Sequence, residues 1–324
     1  MKVIIPSAGT GTRLRPHTYT IPKSLIHVAG KPILGHILDR IAVYKPETIV
    51  LIIGNMGEAI IEYVKNNYSF NFEFIKQEEQ MGLGHAVALA RDAIKTGATL
   101  IMLGDTIIDW ATYFEDKTES FIGVKKVDEP RRYGIVEVGP DGYVARVVEK
   151  PAEPVSDLAI VGIYYLTNFE LLSNALQELI NKDIRTRGEY QLTDALQILI
   201  TRGFRFKPIT VENWFDCGNV QSLITANRYL LNQRHHCRTY ADSVIIPPCY
   251  IDDTAQIQNS IVGPYVSIGA GVKIDSSIIK ESIINPFAQI EKSILTDTII
   301  GQRATVRGSF KKLNVGDSSE MEST

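Results

Sequence analysis

The residues with the most evident chemistry come early. A short apolar run ends in Ser7-Ala8-Gly9-Thr10-Gly11-Thr12-Arg13-Leu14-Arg15-Pro16, a turn whose glycines let backbone N–H groups approach phosphate oxygens. Two guanidinium groups stand in the same turn, and Lys23 follows within Thr20-Ile21-Pro22-Lys23-Ser24-Leu25, stiffened by its proline. Backbone donors backed by cations make a phosphate cradle. It is not a dinucleotide fingerprint, because Leu14 stands where G-x-G-x-x-G needs its third glycine, nor a Walker A loop, because no Gly-Lys-Ser/Thr follows at the right spacing. Two carboxylates add a second chemistry. Asp105 ends a predicted strand, and Asp216 lies just past a later one in Trp214-Phe215-Asp216-Cys217-Gly218. Such a pair could share one hard cation, Mg²⁺ being the usual choice because it keeps positions open for phosphate. Taken alone, each Asp could equally cap its own turn.

The elements that must position these groups read as successive βα units. Strands are predicted over Lys2 to Pro6, Thr48 to Gly54, Asn71 to Lys76 and Thr99 to Gly104, and helices over Ile33 to Tyr44, Glu58 to Asn66 and His85 to Lys95. That alternation predicts an α/β fold with a doubly wound, Rossmann-like sheet, which binds ligands at strand carboxyl ends. Phe121 to Leu166 is rich in β-branched residues broken by Gly-Pro-Asp-Gly at 139–142 and by Pro151 and Pro154, so antiparallel strands are expected to make the sheet mixed. Helical patterns near Glu170 to Asn181 and Gln191 to Thr201, a strand over Arg205 to Val211 and a helix over Val220 to Gln233 close this part.

After about Tyr240 helix periodicity disappears. Ile246, Val262, Ile279 and Leu295 form one column; Ile251, Ile268, Ile284 and Ile300 a second; Ile257, Ile274, Ile290 and Val306 a third, each advancing by 16 or 17 residues. Three short faces per turn, each with one inward aliphatic, predict a left-handed parallel β-helix of hexapeptide repeats, with Ala255, Val272, Ala288 and Ala304 at a tight corner. The expected organisation is a catalytic domain over 1–235, a β-helix over 240–315 and a frayed polar tail over 316–324.

Composition restricts the partners. The 324 residues are 44% hydrophobic and 22% charged, with 34 Lys plus Arg against 37 Asp plus Glu, so no overall positive field is present to hold nucleic acid. Val3 to Pro6 is too short for a secretory or membrane segment, and a cytoplasmic protein with no membrane or nucleic-acid partner is expected. Cys217, Cys237 and Cys249 are odd in number and form no CxxC pair, so they read as free thiols. His235-His236-Cys237 lacks ligand spacing and reads as linker, and His85 reads as a packing or capping residue rather than a base.

In order, the chain then carries Val28-Ala29-Gly30-Lys31-Pro32-Ile33, Gln77 before Gly82-Leu83-Gly84-His85-Ala86, Leu103-Gly104-Asp105, Tyr133-Gly134, Glu149-Lys150-Pro151, Gly162-Ile163-Tyr164 and Gly188-Glu189-Tyr190-Gln191-Leu192-Thr193-Asp194. With the Gly-rich turn, the Pro-Lys motif and Trp214-Phe215-Asp216-Cys217-Gly218, this series resembles the sugar-phosphate nucleotidyltransferases over about residues 2 to 234. The resemblance implies transfer of a nucleotidyl group from a nucleoside triphosphate to a sugar 1-phosphate by in-line attack on the α-phosphorus. It implies that Asp105 and Asp216 hold a catalytic Mg²⁺, and that Arg13 and Lys23 neutralise the triphosphate. Ala8, Gly9, Gly11 and Thr12 would contact the nucleotide through the backbone, with Gln77 and Gly82 on the base. Glu149 would accept a sugar hydroxyl, Lys150 would hold the sugar phosphate, and Gly134 and Gly162 would let the backbone approach the sugar.

Gln77 and Gly82 match a pair that reads a pyrimidine, leaving dTTP and UTP both open, with glucose 1-phosphate as the default sugar. The Pro6-Ser7-Ala8-Gly9 opening looks closer to uridylyltransferases, and the appended β-helix closer to long thymidylyltransferases. GDP-mannose or ADP-glucose synthesis and a non-catalytic regulatory subunit of the same architecture are the alternatives; retention of Arg13, Lys23, Asp105, Lys150 and Asp216 disfavours the last. Bifunctional relatives carry an acetyltransferase on the β-helix, but no His follows His236 to act as its base. The repeat is therefore expected to support assembly, and a homo-oligomer is expected through its flat faces.

Overall fold

The computed structural model describes residues 1–109, 118–308 and 313–322. The chain divides into two compact units, Met1–Gly9 with Ile37–Trp214, and Thr10–His36 with Phe215–Thr324. The Gly-rich turn is thus divided, its part from Thr10 onward grouping with the repeat.

The first unit is built on a nine-stranded sheet. Its main path runs Val144–Glu149, Gly134–Val138, Leu158–Leu166, Thr99–Met102, Lys2–Ser7, Thr48–Ile53 and Phe72–Lys76, with Phe121–Lys126 and Lys207–Thr210 off it. Lys2–Ser7 pairs parallel with Thr48–Ile53 and with Thr99–Met102, and Thr48–Ile53 pairs parallel with Phe72–Lys76. These central strands read as unbroken apolar runs because Val3 to Ile5, Ile49 to Ile52 and Leu100 to Met102 are buried on both faces. The expected antiparallel insertion is present: Leu158–Leu166 runs antiparallel to Thr99–Met102, Phe121–Lys126 and Gly134–Val138.

One core gathers Ile4, Val50, Ile52 and Ile101 from the sheet with Val87, Phe169, Leu172, Leu176 and Leu196 from the helices. The helix Phe169–Asn181 starts where Asn168 Oδ1 accepts the Glu170 N–H at 3.0 Å, an N-cap in the usual position. The pattern over His85 to Lys95 predicts one helix, but the structure has two, Leu83–Leu89 and Arg91–Ile94, meeting at Ala90 and ended by Lys95 at φ 58°.

The second unit carries the repeat as three parallel sheets of short strands, the arrangement of a left-handed β-helix. The second and third columns are in register as expected, Ile251 beside Ile268, Ile284 and Ile300, and Ile257 beside Ile274, Ile290 and Val306. The first column needs a correction: Ile245, not Ile246, pairs with Val262, and Ile246 is 41% exposed. Adjacent isoleucines face opposite sides of a strand, and only the 17-residue step from Ile245 keeps the inward position.

The tail also differs from expectation. Asn314–Val315 and Glu320–Glu322 continue two of the sheets as a fifth coil, pairing with Ile299–Ile300 and Thr305–Arg307. At one corner, hydroxyls link coil to coil: Ser260 N–H donates to Ser243 Oγ, Ser277 N–H to Ser260 Oγ and Ser293 N–H to Ser277 Oγ, at 3.0 to 3.1 Å. The His236 segment is part of this unit, its N–H donating to Cys249 O at 2.9 Å. The three cysteines are free thiols.

Candidate active site

From Thr10 onward the Gly-rich turn lies in the second unit. Gly11 has φ 62°, a left-handed conformation that favours glycine, and its carbonyl accepts from Leu14 N–H at 2.9 Å and Thr18 Oγ1 at 2.8 Å. A Cβ at Gly11 would stand 3.1 Å from Lys23 Cβ, so the turn and the Pro-Lys motif form one structure. Lys23 is 8% exposed, in a short 3₁₀ turn directly after Pro22. Thr12 and Arg13 are exposed on the turn. Asp216 ends the strand Asn213–Asp216, and Gly218 stands between its carboxylate and Arg13: a Cβ there would lie 2.6 Å from Arg13 Nη2 and 2.9 Å from Asp216 Oδ1.

The β-helix braces this segment. His17 Nε2 is 2.5 Å from Asn314 Oδ1, Thr20 Oγ1 donates to Asp317 Oδ2, and a Cβ on Gly316 would meet Pro16 at 2.8 Å. Buried Asn227, on the helix Val220–Gln233, accepts from Ala29 N–H at 2.9 Å and Ser267 Oγ at 2.6 Å, and donates to Tyr265 O at 3.1 Å.

In the first unit, Ala8 O accepts from Gln80 Nε2, while Gly9 is exposed with open space around it. Gly104 N–H donates to Pro6 O at 3.0 Å, and a Cβ at Gly104 would collide with Ser7 Oγ at 2.1 Å, so this approach requires glycine. Asp105 follows directly, its Oδ1 accepting from Thr106 Oγ1 at 3.2 Å. Gly162, at φ 88°, passes its carbonyl to Leu103 N–H at 3.0 Å.

Gln77 is 5% exposed. Its Nε2 lies 3.2 Å from Gly82 O and 3.0 Å from His85 Nδ1, so both amide N–H groups have acceptors and Oε1 is left as an acceptor. Gly82, at φ 106°, and Gly84 press on the Tyr190-Gln191 backbone, with Gly84 N–H donating to Tyr190 O at 2.8 Å. Burial lowers the His85 pKa, against the opposing charge of Glu79, which keeps the imidazole an acceptor.

Gly134, Glu149, Lys150 and Thr193 also converge within this unit. A Cβ on Gly134 would stand 3.1 Å from Glu149 Oε2, which accepts from Thr193 Oγ1 at 3.2 Å. Lys150 Nζ is 3.2 Å from Glu149 Oε1. Lys150 occupies left-handed space at φ 40°, held by its N–H to Tyr133 O at 3.0 Å and by Arg187 Nη2 donating to its carbonyl at 2.8 Å. Burial raises the Asp194 pKa, with nearby Glu149 adding to the rise.

Thus the first unit brings Gln77 to Gly82, and Gly134 to Glu149 and Lys150, while the second brings Gly11 to Lys23 and Arg13 to Asp216. Sequence reading missed His85 as the partner of Gln77, and also Gln80, Thr193 and Arg187. The signal for Thr193 was the Gly188-to-Asp194 motif, which carried no assigned role. Asp105 in the first unit and Asp216 in the second each offer hard carboxylate oxygens, donors of the kind that Mg²⁺ takes. Among the described residues no group of three or more His, Cys, Asp or Glu is placed to hold a metal. No helix among them is long and apolar enough to cross a membrane.

Residues 2–233 match the family described as nucleotidyl transferase. The chain is 31% identical over 326 residues to a glucose-1-phosphate thymidylyltransferase of Streptomyces griseus, covering 95% of this chain and 88% of that protein. It is 35% identical over 325 residues to the bifunctional protein GlmU of Methanococcus vannielii, covering 96% and 73% respectively. A solved structure of UDP-glucose pyrophosphorylase complexed with UDP-glucose superposes with TM-score 0.63 at 24% identity, covering 72% of this chain and 99% of that one, a likeness of fold.

Proposed function

The chain belongs to the nucleotidyl transferase family, acting on sugar 1-phosphates, and from that premise we propose that it transfers a thymidylyl or uridylyl group from dTTP or UTP to glucose 1-phosphate, releasing pyrophosphate. The Gln77 amide carries this reading. With both N–H groups engaged by Gly82 O and His85 Nδ1, Oε1 is left as the amide's acceptor and would suit the ring N3–H of thymine or uracil. Adenine and cytosine offer a bare ring nitrogen there, which an acceptor disfavours.

An oxygen of the sugar phosphate attacks the α-phosphorus, the bond from that phosphorus to the bridging oxygen breaks, and pyrophosphate leaves in line. No general base is needed, because a phosphate monoester with a second pKa of about 6 is largely dianionic at neutral pH. The protein's part is alignment and charge. Backbone groups of Ala8, Gly9, Gly11 and Thr12 cradle the triphosphate, Arg13 pairs with it through its fork and Lys23 as a point charge. Glu149, oriented by Thr193, accepts a sugar hydroxyl, and Lys150 holds the sugar phosphate. Gly134 and Gly162 keep the sugar's approach open. Asp105 and Asp216 would hold Mg²⁺, which supplies Lewis-acid neutralisation of phosphate oxygens when bound.

The test is Mg²⁺-dependent pyrophosphate release with glucose 1-phosphate against dTTP, UTP, GTP and ATP in parallel. Release with dTTP or UTP supports the proposal and ranks the two. Release confined to ATP overturns the role of Gln77, release confined to GTP, whose guanine also carries a ring N–H, overturns the pyrimidine reading, and none with any sugar phosphate supports a regulatory subunit.

A further inference from the structure

Ser7 ends the strand Lys2–Ser7 at the carboxyl edge of the sheet. Its Oγ is shielded from solvent and has no hydrogen-bond partner among the described residues, although the residue as a whole is only half-buried. A shielded hydroxyl left unpaired is costly, and such an atom points to a partner that arrives from outside the fold. Its neighbours along the edge belong to the candidate site. Ser7 lies in register with Ile53, whose carbonyl accepts the Gln77 N–H at 2.9 Å. On the other side Gly104 packs so close to Ser7 Oγ that no Cβ fits, and Asp105 follows directly. All of these residues belong to the first unit. Across the edge the order is therefore Gln77, Ile53, Ser7, then Gly104-Asp105, at about 4.8 Å per strand.

A nucleotide with its base at Gln77 and its phosphates toward Asp105 has one part left to lie over the strand end between them, the ribose. The chemistry agrees with that placement. Ser7 Oγ lacks a partner both as donor and as acceptor, so the group that suits it brings an acceptor and a donor together. A phosphate oxygen brings only an acceptor, whereas a vicinal diol brings both. No hydrogen bond holds the hydroxyl in its rotamer, so a turn about χ1 to another staggered well can aim it at a diol. On the pyrimidine reading of the base, on which this inference rests, we propose that Ser7 binds the 2′,3′-diol of the ribose, donating to one hydroxyl and accepting from the other, and so makes UTP the substrate over dTTP. Without its 2′-hydroxyl, dTTP leaves the Ser7 hydroxyl half satisfied. Gln77 reads what thymine and uracil share, and Ser7 reads what separates their nucleosides at the sugar.

The test is titration calorimetry of the full chain in Mg²⁺ with UTP and with dUTP, which differ only at the 2′ position. The wild type is expected to bind dUTP at least about tenfold more weakly than UTP, and Ser7→Ala to bind the two within about threefold of each other. The ligand-free Ser7→Ala protein is expected to melt no lower than wild type, because the change removes a hydroxyl that the fold does not pair. A lowered melting temperature would show that the fold itself uses the hydroxyl and would overturn the proposal. Equal wild-type affinities, a ribose preference that persists in Ser7→Ala, or no binding of any nucleoside triphosphate also overturns it. ATP against dATP and GTP against dGTP are run alongside. A Ser7-dependent preference confined to a purine pair keeps Ser7 on the ribose and overturns the pyrimidine reading alone.

Discussion

His85 Nδ1 lies 3.0 Å from Gln77 Nε2, so a neutral imidazole fixes which way round the amide lies, its N–H toward the ring. Replacing that acceptor by His85→Leu frees the amide to turn. Loss of one such hydrogen bond, about 1 kcal/mol, is expected to raise KM for the pyrimidine triphosphate five- to tenfold or so, with a smaller change in kcat. Acid should mimic the substitution. Burial holds the His85 pKa below its ordinary value, so the ring is neutral at pH 7 and loses its acceptor only as pH falls through that lowered pKa. Wild-type KM should then rise on the acid side while His85→Leu does not follow; superposable KM–pH profiles would remove His85 from this role.

Gly218 leaves room for Arg13 and Asp216 at once. In Gly218→Ala the new methyl would stand 2.6 Å from Arg13 Nη2 and 2.9 Å from Asp216 Oδ1, displacing both. Turnover is expected to fall at least about tenfold, since small misplacements of aligned groups are costly to rate. The backbone has no positive φ at this position to strain, so thermal melting should stay near wild type. Normal turnover would show that the glycine serves only the chain's path.

Charge at the phosphates is tested by Asp105→Asn and Lys23→Ala. Each is expected to lower kcat by about a hundredfold or more, the scale of losing a group that stabilises developing charge. Lys23 is nearly buried against Gly11, so Lys23→Met, which keeps the stem, separates loss of charge from loss of packing. Near-normal turnover in Asp105→Asn and Lys23→Met together would refute these roles.

Acid should also unfold the second unit. Burial pushes His27 down to about 4, opposed by Asp252, and lowers His17 despite its bond to Asn314. The unfolded chain takes up these protons near pH 6.5 and the folded chain does not, so stability is complete above about 6.5 and lost as pH falls toward 4. For His27 this amounts to at most about 3 kcal/mol. Denaturant midpoints measured across that range should fall, and should fall less in His27→Gln; equal slopes would exclude His27 as the cause.

Much of this was legible in the chain itself, for identifiable reasons. The βα alternation survived because strands buried on both faces are unbroken apolar runs, as at Val3 to Ile5 and Ile49 to Ile52. The repeat was legible because inward aliphatics recur at a step imposed by coil length. Ile245 was mistaken for Ile246 where two adjacent isoleucines satisfy the same pattern and only register separates them. The fifth coil is hard to read because its inward residues, Val315 and Met321, flank the polar stretch Gly316 to Glu320 and follow Ile300 and Val306 by 15 residues, off the step of 16 or 17. At the site, motifs named the residues but not their orientation. Nothing in the spacing of Gln77 and His85 shows that one turns the other.

The last coil of the β-helix carries Asn314 and Asp317, which grip His17 and Thr20 just beyond the phosphate turn. This makes the number of coils a length standard. Repeat proteins commonly gain or lose a unit without penalty to their interior, since each coil contacts only its neighbours. Here, deleting or inserting one coil would carry the terminal grip about 4.8 Å along the stack and away from its two partners. Chain length in the repeat is thereby tied to the shape of the Arg13 turn, and the stack serves as a gauge.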